Sequence, residues 1–264
     1  MKRIAILLVC ALLGVSGAAA AVPAEPAKSA QISLSSAINK AGRQRMLSQR
    51  MVKFYCQIGQ GILVEKSRQQ LQQSIELFEA QLVELKRVAP NPEVQKAIAK
   101  MEVSWEPYKE IVSRAPTKED GKHLIALSEE LLQAAHKTTM LLQDTAGTSA
   151  GRLVNVAGRQ RMLSQRLAKY YMQKRRGFNV SEVNDGLEQA RAEFKSALGE
   201  LLAAPQNTAA IKKELDLAKM QWVFFENALA QDSTQDPSFA ANVATSSERI
   251  LEVMDRVTGM YEKL

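Results

Sequence analysis

Ten residues occur twice in this chain without a single change: Ala41–Arg50 and Ala157–Arg166 both read AGRQRMLSQR. The two strings lie 116 positions apart (157 minus 41). Over the wider window Asn39–Cys56 against Asn155–Met172, 13 of 18 positions are identical. The echo continues beyond the motif. Phe78, Leu82 and Leu85 return as Phe194, Leu198 and Leu201. Trp105 and Tyr108 return as Trp222 and Phe225. Ser128, Glu129, Leu131 and Leu132 return as Ser247, Glu248, Ile250 and Leu251, with the offset grown to 119. The repeating unit is therefore as large as a domain. That excludes a solenoid of short repeats and requires two like domains in tandem.

Each unit reads as four helices. Aromatic residues make up only 5% of the 264-residue chain, and 8 Pro and 13 Gly are too few for the many turns of a sandwich or barrel. The breaks are sharp: Gly59 and Gly61, Pro90-Asn91-Pro92 and Pro116 in the first unit, then Gly177, Pro205 and Asp236-Pro237 in the second. They predict helices over 32–60, 65–88, 93–114 and 118–143, and over 150–176, 181–204, 208–231 and 239–262. Four such helices with short loops form an up-and-down bundle. The expected fold is thus all-α, with two tandem four-helix bundles: copy 1 over 32–143, a linker over 144–151, copy 2 over 152–262. The small, turn-prone linker Asp144–Gly151 favours a chain reversal that lays the bundles side by side as an intrachain pseudo-dimer. The alternative is one continuous helix joining them end to end.

The N-terminus reads as an address. Lys2 and Arg3 precede the apolar run Ile4–Val15, and small residues follow through Ala21. This is the pattern of a cleavable secretory signal over residues 1–21, too short to span a bilayer comfortably. The mature chain is expected to be exported. Cleavage after Ala21 leaves 243 residues, lowers the formal charge from +7 to +5 and removes Cys10, so Cys56 stands alone. No later stretch is apolar enough to cross a membrane, and so weak a basic excess does not point to nucleic acid.

The repeated helix has two different faces. At 100° per residue, Leu47, Met51, Phe54 and Ile58 form one apolar stripe, matched by Leu163, Leu167 and Tyr170. Arg45 falls about 160° from Leu47, among Ile38, Ala41, Gly42, Gln49, Val52 and Cys56. Arg161 has the same surroundings in Val154, Ala157, Gly158, Gln165, Ala168 and Met172. A solvated face carries more charge than this. A small-residue face with glycine at its centre suits close contact with another helix. If the two copies meet there about a pseudo-twofold axis, Arg45 and Arg161 face each other. A small planar anion between them would cancel their repulsion and accept paired hydrogen bonds. Asn39 and Asn155, one turn before the glycines, and Ser48, Ser164, Gln49 and Gln165 are the candidates for a supporting shell.

Other chemistry is sparse. His123 and His136 do not converge on one helix face, so no metal site is expected. No phosphate loop, nucleophile elbow or nucleophile–base pair is visible, so neither a cofactor nor catalysis is expected.

Ile38–Arg50, INKAGRQRMLSQR, resembles the periplasmic sensory domain of type IV pili methyl-accepting chemotaxis transducers, and Val154–Arg166 repeats it. That domain is similar to bacterial nitrate/nitrite sensor kinases. The resemblance implies a four-helix bundle whose first helices pair and hold one anion. The anion-binding arginine would lie three positions after the motif glycine: Arg45 after Gly42 and Arg161 after Gly158. It implies a sensory accessory protein for a small oxyanion, nitrate or nitrite first, acting through a membrane-bound sensor or chemotaxis-type receptor. The alternative is a ligand-free helical module docking on a receptor, pilus or envelope component.

Overall fold

The computed structural model describes residues 32–178, 180–231 and 236–264, and the expected signal over 1–21 lies outside them. Eight helices follow in order: α1 Leu34–Ile58, α2 Val64–Val88, α3 Pro92–Val112, α4 Lys118–Ala146, α5 Ser149–Arg175, α6 Val180–Ala203, α7 Ala209–Ala230 and α8 Pro237–Tyr261. Local chemistry sets their starts. Ser33, Asn91, Thr117, Thr148, Thr208 and Asp236 each cap a helix by accepting a backbone N–H from its first turn. Pro92 and Pro237 sit at first helical positions, where a missing N–H costs nothing.

Helices α1–α4 form one four-helix bundle and α5–α8 the other. Within them α1 packs on α2 and α4, α3 on α4, α5 on α6 and α8, and α7 on α8. The bundles join through a long contact between α1 and α5. The chain reverses at Gly147-Thr148. Gly147 takes the left-handed conformation (φ 60°) that ends α4, and its N–H donates to the Gln143 carbonyl. Thr148 then caps α5. The helices take up the rest of the 144–151 stretch, and the reversal lays the bundles side by side.

The register of α1 on α5 is parallel. A Cβ at Gly151 would lie 3.1 Å from Ile38 Cδ1, Arg45 bonds Asn155, Lys53 bonds Gln165, and Gln60 bonds the Met172 carbonyl. The sequence difference stays close to the repeat spacing along the whole seam. The two central helices are consequently enclosed on every side. Leu47, Met51, Phe54, Leu163 and Leu167 fill the bundle cores, while Arg45, Gln49, Lys53 and their equivalents Arg161, Gln165 and Lys169 are buried on the opposite faces. Each core is closed by a stacked pair, Phe78 on Trp105 at 4.1 Å and Phe194 on Trp222 at 4.2 Å. Tyr108 reaches across to donate to the Ser48 carbonyl at 2.8 Å.

Two members of the expected stripes depart from it: Ile58 and Tyr170 are only half-buried. Ile58 ends its helix. Tyr170 leans onto the α6 backbone at Gly186, where a Cβ would lie 2.6 Å from Tyr170 Cζ. Leu47 has no such outlet. Leu47→Ala should lower the unfolding free energy by about 2–5 kcal/mol through the cavity it leaves, measured by urea denaturation.

Candidate functional site

Arg45 on α1 and Arg161 on α5 converge on the seam between the bundles, and both are fully buried. The motif glycines make room for them. A Cβ on Gly42 would lie 3.1 Å from Arg45 Nη2 and 3.7 Å from Arg161 Nη2. One on Gly158 would lie 3.2 Å from Arg161 Nη2 and 3.6 Å from Arg45 Nη2. Both guanidinium tips therefore sit over both glycines.

Each arginine is held by the opposite copy. Arg45 Nη2 donates to Asn155 Oδ1 at 2.7 Å and to its carbonyl at 3.3 Å. Arg161 Nη2 donates to Asn39 Oδ1 at 2.8 Å and to its carbonyl at 3.2 Å. The asparagines are anchored in turn, Asn155 by donating to Gln143 Oε1 at 2.7 Å and Asn39 by donating to Glu262. The Nε atoms of both arginines are buried with no hydrogen-bond partner.

The remaining contacts break the symmetry. Arg161 Nη1 pairs with Asp255 of α8, which Arg43 Nη2 also reaches at 2.6 Å. Arg45 Nη1 meets His136 Nδ1 of α4 at 3.3 Å. At the offset of 119 that relates α4 to α8, His136 and Asp255 are the same position. One arginine thus has a carboxylate, while the other has an imidazole that adds no negative charge. Among the described residues no carboxylate lies within ion-pair distance of Arg45. Burial, then Arg161, then Arg159 pull the Arg45 pKa down to about 9. Burial and Arg43 bring Arg161 to about 10 against the pull of Asp255. Both stay charged at neutral pH. Burial, followed by Arg45 and Arg159, lowers the His136 pKa, so its ring, unlike the arginines, is uncharged there.

The expected supporting shell divides. Asn39 and Asn155 bond the arginines across the seam. Ser48 and Ser164 return their hydroxyls to the Arg45 and Arg161 carbonyls, both at 2.8 Å, as buried helical serines do. Gln49 and Gln165 turn to other helices: Gln49 donates to the Ser128 carbonyl at 3.4 Å and Gln165 to the Ser247 carbonyl at 3.0 Å.

A second polar layer, one to two turns further along the seam, is absent from the sequence reading. Lys53, fully buried, donates to Gln165 Oε1 at 2.6 Å, to Ser247 Oγ at 3.3 Å and to Glu248. Arg50 grips the same carboxylate, with Nε at 3.2 Å. In the twin arrangement Lys169 and Arg166 hold Glu129 at 2.6 and 2.9 Å. Every one of these pairs crosses from one copy to the other. The signal that identifies them was the recurrence of Ser-Glu at 128–129 and 247–248. Burial works to raise the Glu248 pKa, but Lys53 and Arg50 overcome it and hold the carboxyl at about 2. Glu129 is likewise held below its ordinary value, against burial, by Lys169 and Arg166. A carboxylate whose folded pKa is depressed stabilises the fold above its ordinary value of 4.5 and loses that contribution as pH falls toward 2. The melting temperature should therefore decline steadily between those limits in a pH series by differential scanning fluorimetry, and Glu248→Gln should flatten that limb.

Among the described residues no group of His, Cys, Asp and Glu could hold a metal ion, and no helix is long and apolar enough to cross a membrane. The family model described as PilJ, type IV pili methyl-accepting chemotaxis transducer N-term, matches the chain over residues 29–130 and again over 145–247. No curated protein and no solved structure matches it.

Proposed function

The chain belongs to the family of type IV pili methyl-accepting chemotaxis transducer N-terminal domains, a family of non-catalytic sensory modules, and from that premise we propose that it is a periplasmic binding protein for a small oxyanion such as nitrate or nitrite. The observation that carries this reading is the unbalanced charge at the seam. Arg45 is a fully buried guanidinium facing a second one, with an orphaned Nε and, among the described residues, no carboxylate of its own. Burying an uncompensated charge costs several kcal/mol, on the order of what removal of one partner from a buried pair costs. A bound anion supplies the missing partner. Asp255 already answers Arg161, so the ligand needs one negative charge rather than two. A planar monoanion also suits guanidinium geometry.

Bound anion would strengthen the link between α1 and α5, and a membrane-bound chemotaxis-type receptor would read that change. The other reading, a ligand-free docking module, drew on the small-residue face of the repeated helix. That face is taken up by the contact of α1 with α5, which favours the ligand reading. The test is isothermal calorimetry and thermal shift of the full chain in low-chloride buffer with nitrate, nitrite, chloride and sulfate. Saturable binding of a monovalent oxyanion, stronger than that of sulfate, is expected. No heat and no shift with any of the four would end the anion reading.

A further inference from the structure

Each copy of the repeat has the same place for a cavity, beside the crossing lysine–glutamate pair, and the two places have diverged. In one, Phe54, Gln57, Ser67, Gln70, Ala244 and Glu248 meet around about 10 Å³ of space. In the other the equivalents Tyr170, Gln173, Val183, Ile125 and Glu129 frame about 580 Å³, within the range of small-molecule pockets, while Gly186, the equivalent of Gln70, lies against the Tyr170 ring.

The opening follows from linked changes in sequence. On the closed side Gln70 of α2 fills the space and donates to Glu248 at 3.3 Å, and Ser74 holds Arg50 at 3.0 Å. On the open side Gln70 is replaced by Gly186 and Ser74 by Ala190. Tyr170 stands where Phe54 stands, and its ring lies against Gly186, which has no side chain to obstruct it. Its hydroxyl accepts from Arg166 Nε at 3.0 Å, replacing the lost serine. The ring lies aside, the arginine has a new tether, and about 580 Å³ opens between α4, α5 and α6.

The lining is amphipathic. Ile125, Tyr170, Phe178 and Val183 provide apolar walls. Lys118, Lys122, Arg166 and Lys169 outnumber Glu129 and Glu182. Arg166 and Lys169 are committed to Glu129, whereas Lys118 and Lys122 are exposed, and the only ion pair of Lys122 among the described residues is a loose 3.6 Å approach to Glu119. On the closed side the positions of these two lysines are Pro237 and Ala241. Gln173 also lines the space, is 2% exposed, and has an Nε2 donor with no partner.

We propose that this cavity is a second ligand site, separate from the arginine seam, for a small organic carboxylate. Its aromatic or aliphatic body lies against Ile125, Tyr170, Phe178 and Val183, and its carboxylate meets Lys118 and Lys122.

The test is calorimetric titration of the full chain with benzoate, 3-phenylpropionate and hexanoate, each beside its neutral primary amide. At least one acid should bind saturably, one per chain, and more tightly than its amide. Restoring the closed pair with Tyr170→Phe and Gly186→Gln together should weaken that acid by roughly tenfold or more, because the side chain refills the space. Lys118→Gln with Lys122→Gln changes only exposed residues, and should weaken the acid about fivefold while leaving the amide unchanged. Arg45→Met should leave this binding intact, which separates it from the anion reading. Absence of binding by all three acids, equal binding of acid and amide, or indifference to the lysine changes would each overturn the proposal.

Discussion

Replacing Glu248 by Gln should cost about 3–5 kcal/mol of folding stability, the largest loss expected from any single exchange of one polar residue for another in this chain. Among the described residues Glu248 is the only carboxylate that answers Lys53, which is fully buried, and Arg50, which is largely so. Burial, helped by Arg50 and Lys66, already pulls the Lys53 pKa down to about 8 despite the carboxylate beside it. Without that carboxylate, the acceptors left to Lys53 among the described residues are the neutral Gln165 and Ser247. Removing both charges, with Lys53→Met and Glu248→Leu, should recover most of the loss, because an apolar pair of similar volume avoids desolvating two ions. Urea denaturation of the two single variants and the double variant measures the coupling. A loss below 1 kcal/mol for Glu248→Gln would mean that water reaches Lys53 and that the crossing pair is superficial.

Arg45→Met should weaken nitrate binding by about a hundredfold or more, since two charge-assisted hydrogen bonds at roughly 1.5–3 kcal/mol each disappear with the guanidinium. The same variant should melt at or above the wild-type temperature without anion. Methionine fills much of the arginine stem's volume, and the change removes a buried like-charge contact with Arg161. The equivalent change at Arg161 behaves differently. It strips a partner from Asp255, leaving that carboxylate to Arg43 alone, so stability should fall as well as affinity. Calorimetry paired with anion-free melting curves resolves the contrast. If Arg45→Met alone melts far below wild type, Arg45 holds the fold together and its charge is not waiting for a ligand.

Much of this was legible in the chain. The AGRQRMLSQR repeat required two like domains, and the proline and glycine breaks placed the helix ends to within a few residues. The small-residue face around Arg45 and Arg161 anticipated that α1 and α5 would touch there. What pattern could not supply was the partner of each charge. Glu129, Glu248 and Asp255 look in sequence like ordinary acids on a solvated helix. Only the pairing of α1 with α5 brings them, partly exposed, against the buried cations Lys169, Lys53 and Arg161. The assignment of Ser48, Ser164, Gln49 and Gln165 beside the arginines had the same origin. A helical projection fixes an angle but not a height, and these side chains serve their own helix or a neighbouring one. The inequivalence of His136 and Asp255 was open to view, but it acquires meaning only once both are seen against an arginine.

The two-residue turn at Gly147-Thr148 has a consequence in mass action. Two separate chains that share a site at their interface must find each other first, so their apparent affinity falls on dilution. Here the second half is always present at the high effective concentration that a short tether imposes. Saturation of the proposed anion site would then depend on ligand alone, whether the chain is scarce or abundant. The tether also frees the halves from identity. A partner encoded separately by the same gene must carry the same residue on both sides of the axis, whereas a fused one can keep a histidine on one side and an aspartate on the other.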